Sequence, residues 1–248
     1  MVERITLYSA YVCPYAHRAE LALKESGLDY KRFEIDLQNK PEWYAPNVNP
    51  ASKVPAIAYG GPDVDPAAPS PESAKLAESL VLIEFINDLI TPTGKALLPA
   101  DPVKRANARF FIETFQSKFG AAWYGALARG ENPAGILPAL DAIVGLLPAD
   151  ESSYAIGSEW SLADAAVTPF LARAFTSLKH DIGGYDEGLG KAVYDKIQNE
   201  PKYDRLKKYF ALVTSRDSFK STYFEDTIIE NTRKRTAPIR AERAASKA

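Results

Sequence analysis

The hydrophobic pattern of this chain changes period once, at "TPTGKALLPADP", residues 91 to 102. Before it, short strand-like runs take turns with helix-period stretches. After it, residues 102 to 230 read as helices only. Pro92, Gly94, Pro99 and Pro102 cluster at the change, as breakers do between domains. The chain is therefore read as an α/β domain over 1–91, an all-helical domain over 102–230 and a basic, flexible tail over 231–248. With 248 residues, 46% of them hydrophobic, it has enough apolar mass for two such cores.

The first part has a definite order. "RITLYSA" predicts a strand with Ile5 and Leu7 on one face and Thr6 and Tyr8 on the other. From Pro14, Tyr15, Ala19, Ala22 and Leu23 recur at helical spacing, and Gly27 suits the stop. "YKRFEIDL", "VPAIAYGG" and "AKLAES" predict three further strands. "SLVLIEFINDLI" predicts an apolar helix that opens at Ser79. A βαβ unit makes a parallel pair, and the last two strands can form a hairpin. Pro62, Pro66, Pro69 and Pro71 make the loop between those two strands long and stiff.

In the second part, Val103, Phe110, Phe111, Thr114 and Phe115 are read as the stripe of one long helix. Ile136, Leu137, Leu140, Ile143, Val144 and Leu147 mark another. Ser161 is an N-cap candidate, and Asp164 three residues on mimics a capping box. Pro169 falls inside that same helix. The tail carries Arg233, Lys234, Arg235, Arg240, Arg243 and Lys247 against one acid, Glu242, and is read as a frayed end.

Composition excludes several functions. A net charge of −2 gives no overall field for nucleic acid or anionic membrane, and neither is expected as a partner. No apolar run approaches the ~20 residues that span a bilayer. The N-terminus has no signal-peptide layout. One cysteine allows no internal disulfide, which fits a reducing, cytoplasmic setting. Two histidines and one cysteine are too few for a usual structural zinc site, and no metal is expected. There is no phosphate-cradling Gly-rich loop and no GxSxG.

That one cysteine is Cys13, in "YVCPYAHR". It follows a strand and precedes Pro14, which favours the first helical position. The sulfur is therefore expected at a helix N-terminus, where free N–H groups and the positive dipole end favour the thiolate. The alternative is a small, inert packing residue. Position favours reactivity, because ligands of open α/β sheets sit where strands run into helices. Ala16 stands where a dithiol motif would have its second cysteine, so any disulfide of Cys13 is made with, and cleared by, another molecule. His17 could pair with the sulfur, but a plain helix position beside Arg18 is the simpler reading. In "SKVPAI", a cis Val54–Pro55 bond would turn the Val54 backbone toward an extended peptide.

Together, "CPYA", "NKPEW", "KVPAI" and "AES" make the chain resemble the omega-class glutathione transferases, especially the fungal, cysteine-type members. "LLPADP" and "SLAD" extend the resemblance, which covers roughly residues 4 to 225. It implies a thioredoxin-like domain followed by a helical domain, with glutathione as co-substrate. By position, Cys13 would bond glutathione as a mixed disulfide. Lys40 would meet the glycyl carboxylate, Val54 before Pro55 would pair with the cysteinyl part, and Glu78 and Ser79 would hold the γ-glutamyl end. Ser79 as an N-cap leaves a helix terminus for the glutamyl carboxylate, and Glu78 can accept the ammonium. The 61–72 loop is longer than the family usually has. "CPYAHR" is also similar to the glutathionyl-hydroquinone reductases, which have tryptophan in place of Tyr15.

An electrophile site is expected between the domains, beside Cys13, with Tyr11, Tyr15, Trp123, Tyr124, Phe219 and Tyr223 as candidate walls. Each is also an ordinary core residue type. The resemblance implies a detoxifying thiol transferase and reductase acting on glutathione adducts, possible reduction of dehydroascorbate, and a homodimer. Two other readings are a carrier of hydrophobic phenolic ligands and a non-catalytic interaction module. An interaction module has no need of Cys13.

Overall fold

The computed structural model describes residues 2–91 and 96–246. Pro92, Gly94 and Lys247, which entered the reading of the boundary and the tail, lie outside the described residues. The chain divides into two compact units. One comprises residues 1–100 with 217–223, and the other residues 101–216 with 224–248.

In the first unit the elements are β1 (Ile5–Ser9), α1 (Pro14–Ser26), β2 (Lys31–Glu34), the single turn α2 (Tyr44–Asn47), β3 (Ala56–Tyr59), β4 (Ala74–Ala77) and α3 (Ser79–Ile90). The sheet order is β2-β1-β3-β4. β1 and β2 are parallel, with Leu7 opposite Arg32, while β3 is antiparallel to both β1 and β4. This is the predicted βαβ unit followed by a hairpin. Gly27 ends α1 in the left-handed conformation, φ 71°, which a glycine adopts without cost. Tyr8, Ala16, Tyr44, Val54 and Ala56 belong to one buried cluster, and Cys13, Phe33 and Trp43 pack against it. The core of the unit therefore reaches the underside of Cys13.

The proline-rich loop before β4 is tied down. Tyr8 donates its hydroxyl to the Pro66 carbonyl at 2.8 Å. Asp63 accepts from Lys31 at 2.7 Å, and Lys75 donates to the Ser70 carbonyl at 2.6 Å.

The second unit is helical: α4 (Pro102–Arg129), α5 (Leu137–Val144), α6 (Leu162–Lys179), α7 (Leu189–Asn199) and α8 (Asp204–Thr214). The short α9 (Asp217–Lys220) belongs to the first unit, and α10 (Glu225–Ala245) returns to the second. Asp101 caps α4 by accepting from the Val103 and Lys104 amides. The buried face of α4 is Ala108, Phe111, Ile112, Phe115, Phe119 and Trp123. Two members of the predicted stripe, Val103 and Phe110, are exposed instead: Val103 precedes the first buried residue, Ala108, and Phe110 lies off the face that Ala108, Phe111, Ile112 and Phe115 define. α6 is the central helix. Its capping box is present as expected: Ala163 donates to Ser161 Oγ, and the Ser161 amide donates to Asp164 at 2.8 Å.

The tail departs from expectation. Residues 231–245 are not frayed but continue α10. Arg240 donates to the Asp181 carbonyl at 2.7 Å and the Gly183 carbonyl at 3.2 Å, and its guanidinium lies over the Tyr185 ring. The basic side chains supply docking through their donors and stems, which a count of apolar residues does not register. Among the described residues, no helix is long and apolar enough to cross a membrane.

Candidate functional site

Cys13 stands where β1 has ended and α1 begins. It is the N-cap residue of α1, with extended backbone, and Pro14 follows at the first helical position. The Ala16 amide points at the sulfur from 3.5 Å, and the Cys13 sulfur lies 3.9 Å from the Val54 carbonyl oxygen. This is the predicted setting. A helix amide faces the sulfur, and negative charge on it would be favoured there. The Val54–Pro55 bond is cis, as the sequence suggested.

A cavity of about 460 Å³ opens at the sulfur. Cys13, Tyr15, Lys40, Val54, Pro55, Glu78 and Ser79 all line it. These residues come from four separate segments, and the sheet connects them: Cys13 follows β1, Val54 and Pro55 precede β3, and Glu78 and Ser79 link β4 to α3. Leu37, Asn49 and Lys53 also line the cavity. Lys53 opens the "KVPAI" motif, although the motif by itself assigns it no role of its own.

The lining carries charge of both signs. Lys40 and Lys53 supply positive charge, and Lys40 donates to the Ser52 carbonyl at 2.5 Å. At Ser79 the structure corrects one detail. The N-cap of α3 is Glu78, and Ser79 is the first helical residue. Glu78 has φ 72°, a left-handed conformation that costs a non-glycine residue about 1 kcal/mol or more. Its side chain makes no capping bond, so the first amides of α3 are left for an anion. Beneath them, Arg18 donates to Ser79 Oγ at 3.2 Å. Arg18, which the sequence showed only as the basic neighbour of His17, is buried.

His17 is also buried. Its Nε2 lies 2.8 Å from Thr222 Oγ1. Thr222 donates its own proton to the Ser218 carbonyl, so the imidazole nitrogen is the donor. The ring stacks on Tyr223 and lies beside Phe219. His17 thus fastens residues 217–223 to α1.

The six candidate walls divide between the two units. Tyr15 lines the cavity. Tyr11 lies under the Arg32 guanidinium, 3.6 Å from its ring centroid. Phe219 and Tyr223 stack on each other, and Tyr223 stacks on His17, within the first unit. Trp123 and Tyr124 are on α4 of the second unit, and Trp123, only 2% exposed, packs on Phe119 as a core residue.

Comparison with known proteins agrees with this geometry. Residues 12–89 match the family described as glutathione S-transferase, N-terminal domain, which is the thioredoxin-like part of the fold. The structure is similar to that of glutathione transferase Omega 1C from Trametes versicolor, with a TM-score of 0.89 and 51% identity, covering 96% of this chain and 98% of that one. It is also similar to Omega 2S from the same organism, solved in complex with 2,4-dihydroxybenzophenone, with a TM-score of 0.85 and 42% identity over 93% and 98% of the two chains. Among sequence relatives, Protein IN2-1 homolog A of Oryza sativa subsp. japonica is 31% identical over 206 residues, 82% of this chain and 77% of the relative. With its thioredoxin-like domain, its helical domain and these relatives, the chain belongs to the omega class of glutathione transferases and is an enzyme of that class.

Proposed function

We propose that this enzyme is a thiol transferase and reductase working through a mixed disulfide between Cys13 and glutathione. The observation that carries the reading is the cavity that Cys13 shares with Lys40, Val54, Glu78 and Ser79. Lys40 binds the glycyl carboxylate, and the Val54 backbone pairs with the cysteinyl unit. Glu78 accepts from the glutamyl ammonium. Ser79 and the first amides of α3 take the glutamyl α-carboxylate.

The cycle balances with glutathione alone. The Cys13 thiolate attacks the glutathionyl sulfur of a mixed disulfide. The Cys13–glutathione bond forms as the old S–S bond breaks, and the released thiolate takes a proton from water. A second glutathione, as its thiolate, attacks that bond. Oxidised glutathione leaves and the Cys13 thiolate is restored. Dehydroascorbate is a second oxidised substrate class for the same thiol. Conjugation to halogenated aromatics should be slow, because this sulfur bonds glutathione where a hydroxyl would activate it. A reducing, cytoplasmic setting suits such a thiol. A homodimer belongs to the reading as well. Val81 on α3 and Val103 and Phe110 on α4 are apolar side chains more than half exposed, and a subunit contact would cover such residues.

A second reading, storage of phenolic ligands with little turnover, is favoured by one observation. A relative that is 42% identical has been solved with a dihydroxybenzophenone, and this chain has aromatic candidates in Tyr11, Tyr15, Trp123, Tyr124, Phe219 and Tyr223. Mass spectrometry after incubation with glutathione disulfide separates the two. The first reading expects one glutathionyl group on Cys13 that free glutathione removes. No adduct, together with tight binding of a hydroxybenzophenone, would leave the carrier.

A further inference from the structure

Arg18 is 1% exposed and sits one turn into α1 from Cys13. It is not one of the cavity walls, yet it touches two of them. Its Nη1 donates to Ser79 Oγ at 3.2 Å, and its guanidinium carbon lies 5.3 Å from the centroid of the Tyr15 ring. A guanidinium has only donors. At this bond the Ser79 oxygen can only accept, and its own proton must point elsewhere. Among the described residues the Ser79 hydroxyl makes no hydrogen bond besides the one from Arg18, and Ser79 lines the cavity.

We propose that Arg18 is a positioning residue for the glutamyl end of glutathione: it fixes the Ser79 hydroxyl as a donor into the cavity and sets a buried positive charge one hydroxyl behind the ligand's α-carboxylate. The inference rests on the reading that Glu78 and Ser79 receive the glutamyl end. Its chemistry is selective. The Arg18–Ser79 pair acts on a carboxylate at that position and has little to offer a peptide that lacks it. In the interior a buried cation acts over one intervening group more strongly than it would in water.

The test compares two peptides by calorimetric titration: S-methylglutathione, which cannot form a disulfide, and its counterpart with γ-aminobutyrate in place of the γ-glutamyl residue, which lacks only the α-carboxylate. Arg18→Met should weaken binding of S-methylglutathione by about tenfold or more, and that of the shortened peptide by less than about twofold. A merely structural Arg18 would weaken both alike, and that result would overturn the proposal. Arg18→Lys keeps the buried cation and loses the fork. It should show a smaller loss, about threefold, again confined to the full peptide. If Arg18→Met does not fold, Arg18→Lys decides the matter by the same ratio. Wild-type protein binding both peptides equally would remove the glutamyl end from Ser79, and the site reading with it. Discrimination in the wild type that persists undiminished in the Arg18 variants would overturn the role of Arg18 alone.

Discussion

The Lys40 ammonium donates to the Ser52 carbonyl at 2.5 Å, and Lys40 also lines the cavity at Cys13. Ser52 is itself held in a turn, its amide donating to the Asn49 carbonyl at 2.7 Å and its φ at 52°. The lysine is therefore already ordered at the cavity wall, where, on the proposed reading, it meets the glycyl carboxylate. A carboxylate is a stronger acceptor for an ammonium than a neutral carbonyl is.

Lys40→Ala should weaken glutathione binding by about 1.5–3 kcal/mol, the worth of one charge-assisted bond. The fold should survive, since the lost bond lies in a surface turn that keeps its Ser52–Asn49 closure. Calorimetry in a Cys13→Ser background reads the affinity without a covalent adduct. An unchanged affinity would remove Lys40 from the site. In that event Lys53, which lines the same cavity, is the next residue to replace.

Ending the chain at residue 232 should destabilise it. The truncation removes the Arg240 bonds to the Asp181 and Gly183 carbonyls. It also removes the Arg243–Asp186 contact at 3.7 Å and buried Thr236. Two lost hydrogen bonds at about 1 kcal/mol each correspond to a melting temperature lower by roughly 4–8 °C for a chain of this size. Thermal denaturation of the truncated and full chains checks this. Equal midpoints would return the tail to a frayed end.

Most of the cavity lining was legible in the sequence because its parts are short local patterns. Cys13 with Pro14, Val54 with Pro55, and Glu78 with Ser79 each fall where one element ends and another begins. The resemblance to the family supplied their common purpose. What escaped notice depends on packing between distant segments. In the sequence Arg18 is only the basic neighbour of His17; that it is buried and donates to Ser79 on α3 depends on packing that no local pattern shows. A glutamate with positive φ at the cap of α3 is not a composition signal, since Gly, Asn and Asp are the usual residues there. On α4 the buried face runs through Ala108, Phe111, Ile112, Phe115, Phe119 and Trp123, and an apolar residue type alone does not say that Phe110 lies off it. The tail was misjudged by its charge, although its arginines dock through carbonyl and carboxylate acceptors contributed by residues 181–186.

Asp164 sets a pH dependence in the helical unit. Burial pushes its carboxyl up to about 6, although the Ala155 and Ser161 amides, the Ser161 hydroxyl and the Tyr209 hydroxyl all donate to it and pull the other way. Unfolded, an aspartate titrates near 3.9. Between those values the folded chain holds a proton that the unfolded chain has lost, so this contribution falls as pH rises. It is fully present below about 3.9 and gone above about 6. At about 1.4 kcal/mol per unit, the total is of order 3 kcal/mol. Exposed carboxylates that neighbouring donors hold low, such as Asp63 beside Lys31, act in the opposite sense, so the comparison must be a difference. The stability gap between wild type and Asp164→Asn, from urea unfolding at pH 4, 5, 6 and 7, should narrow as pH rises. A gap that is flat or widens would mean that the carboxylate stays ionised throughout.

Cys13→Ser should abolish disulfide exchange and keep glutathione binding. A serine hydroxyl cannot form a mixed disulfide, and the chain has no other cysteine to take its place. The binding groups proposed on Lys40, Val54, Glu78 and Ser79 do not involve the sulfur. Stability should change by no more than about 1 kcal/mol, because the residue is the N-cap of α1 and accepts from the Ala16 amide, a role that serine performs well. The variant should gain weak conjugating activity, since a hydroxyl can donate to a glutathione thiolate without trapping it. The assay is reduction of a glutathione mixed disulfide, run beside calorimetric titration with glutathione and a thermal melt. Exchange at the wild-type rate would make Cys13 a packing residue and end the mixed-disulfide reading. Loss of exchange together with an unfolded variant would show that the sulfur holds the start of α1 in place. Retained fold, retained binding and no exchange would assign the chemistry to that one atom.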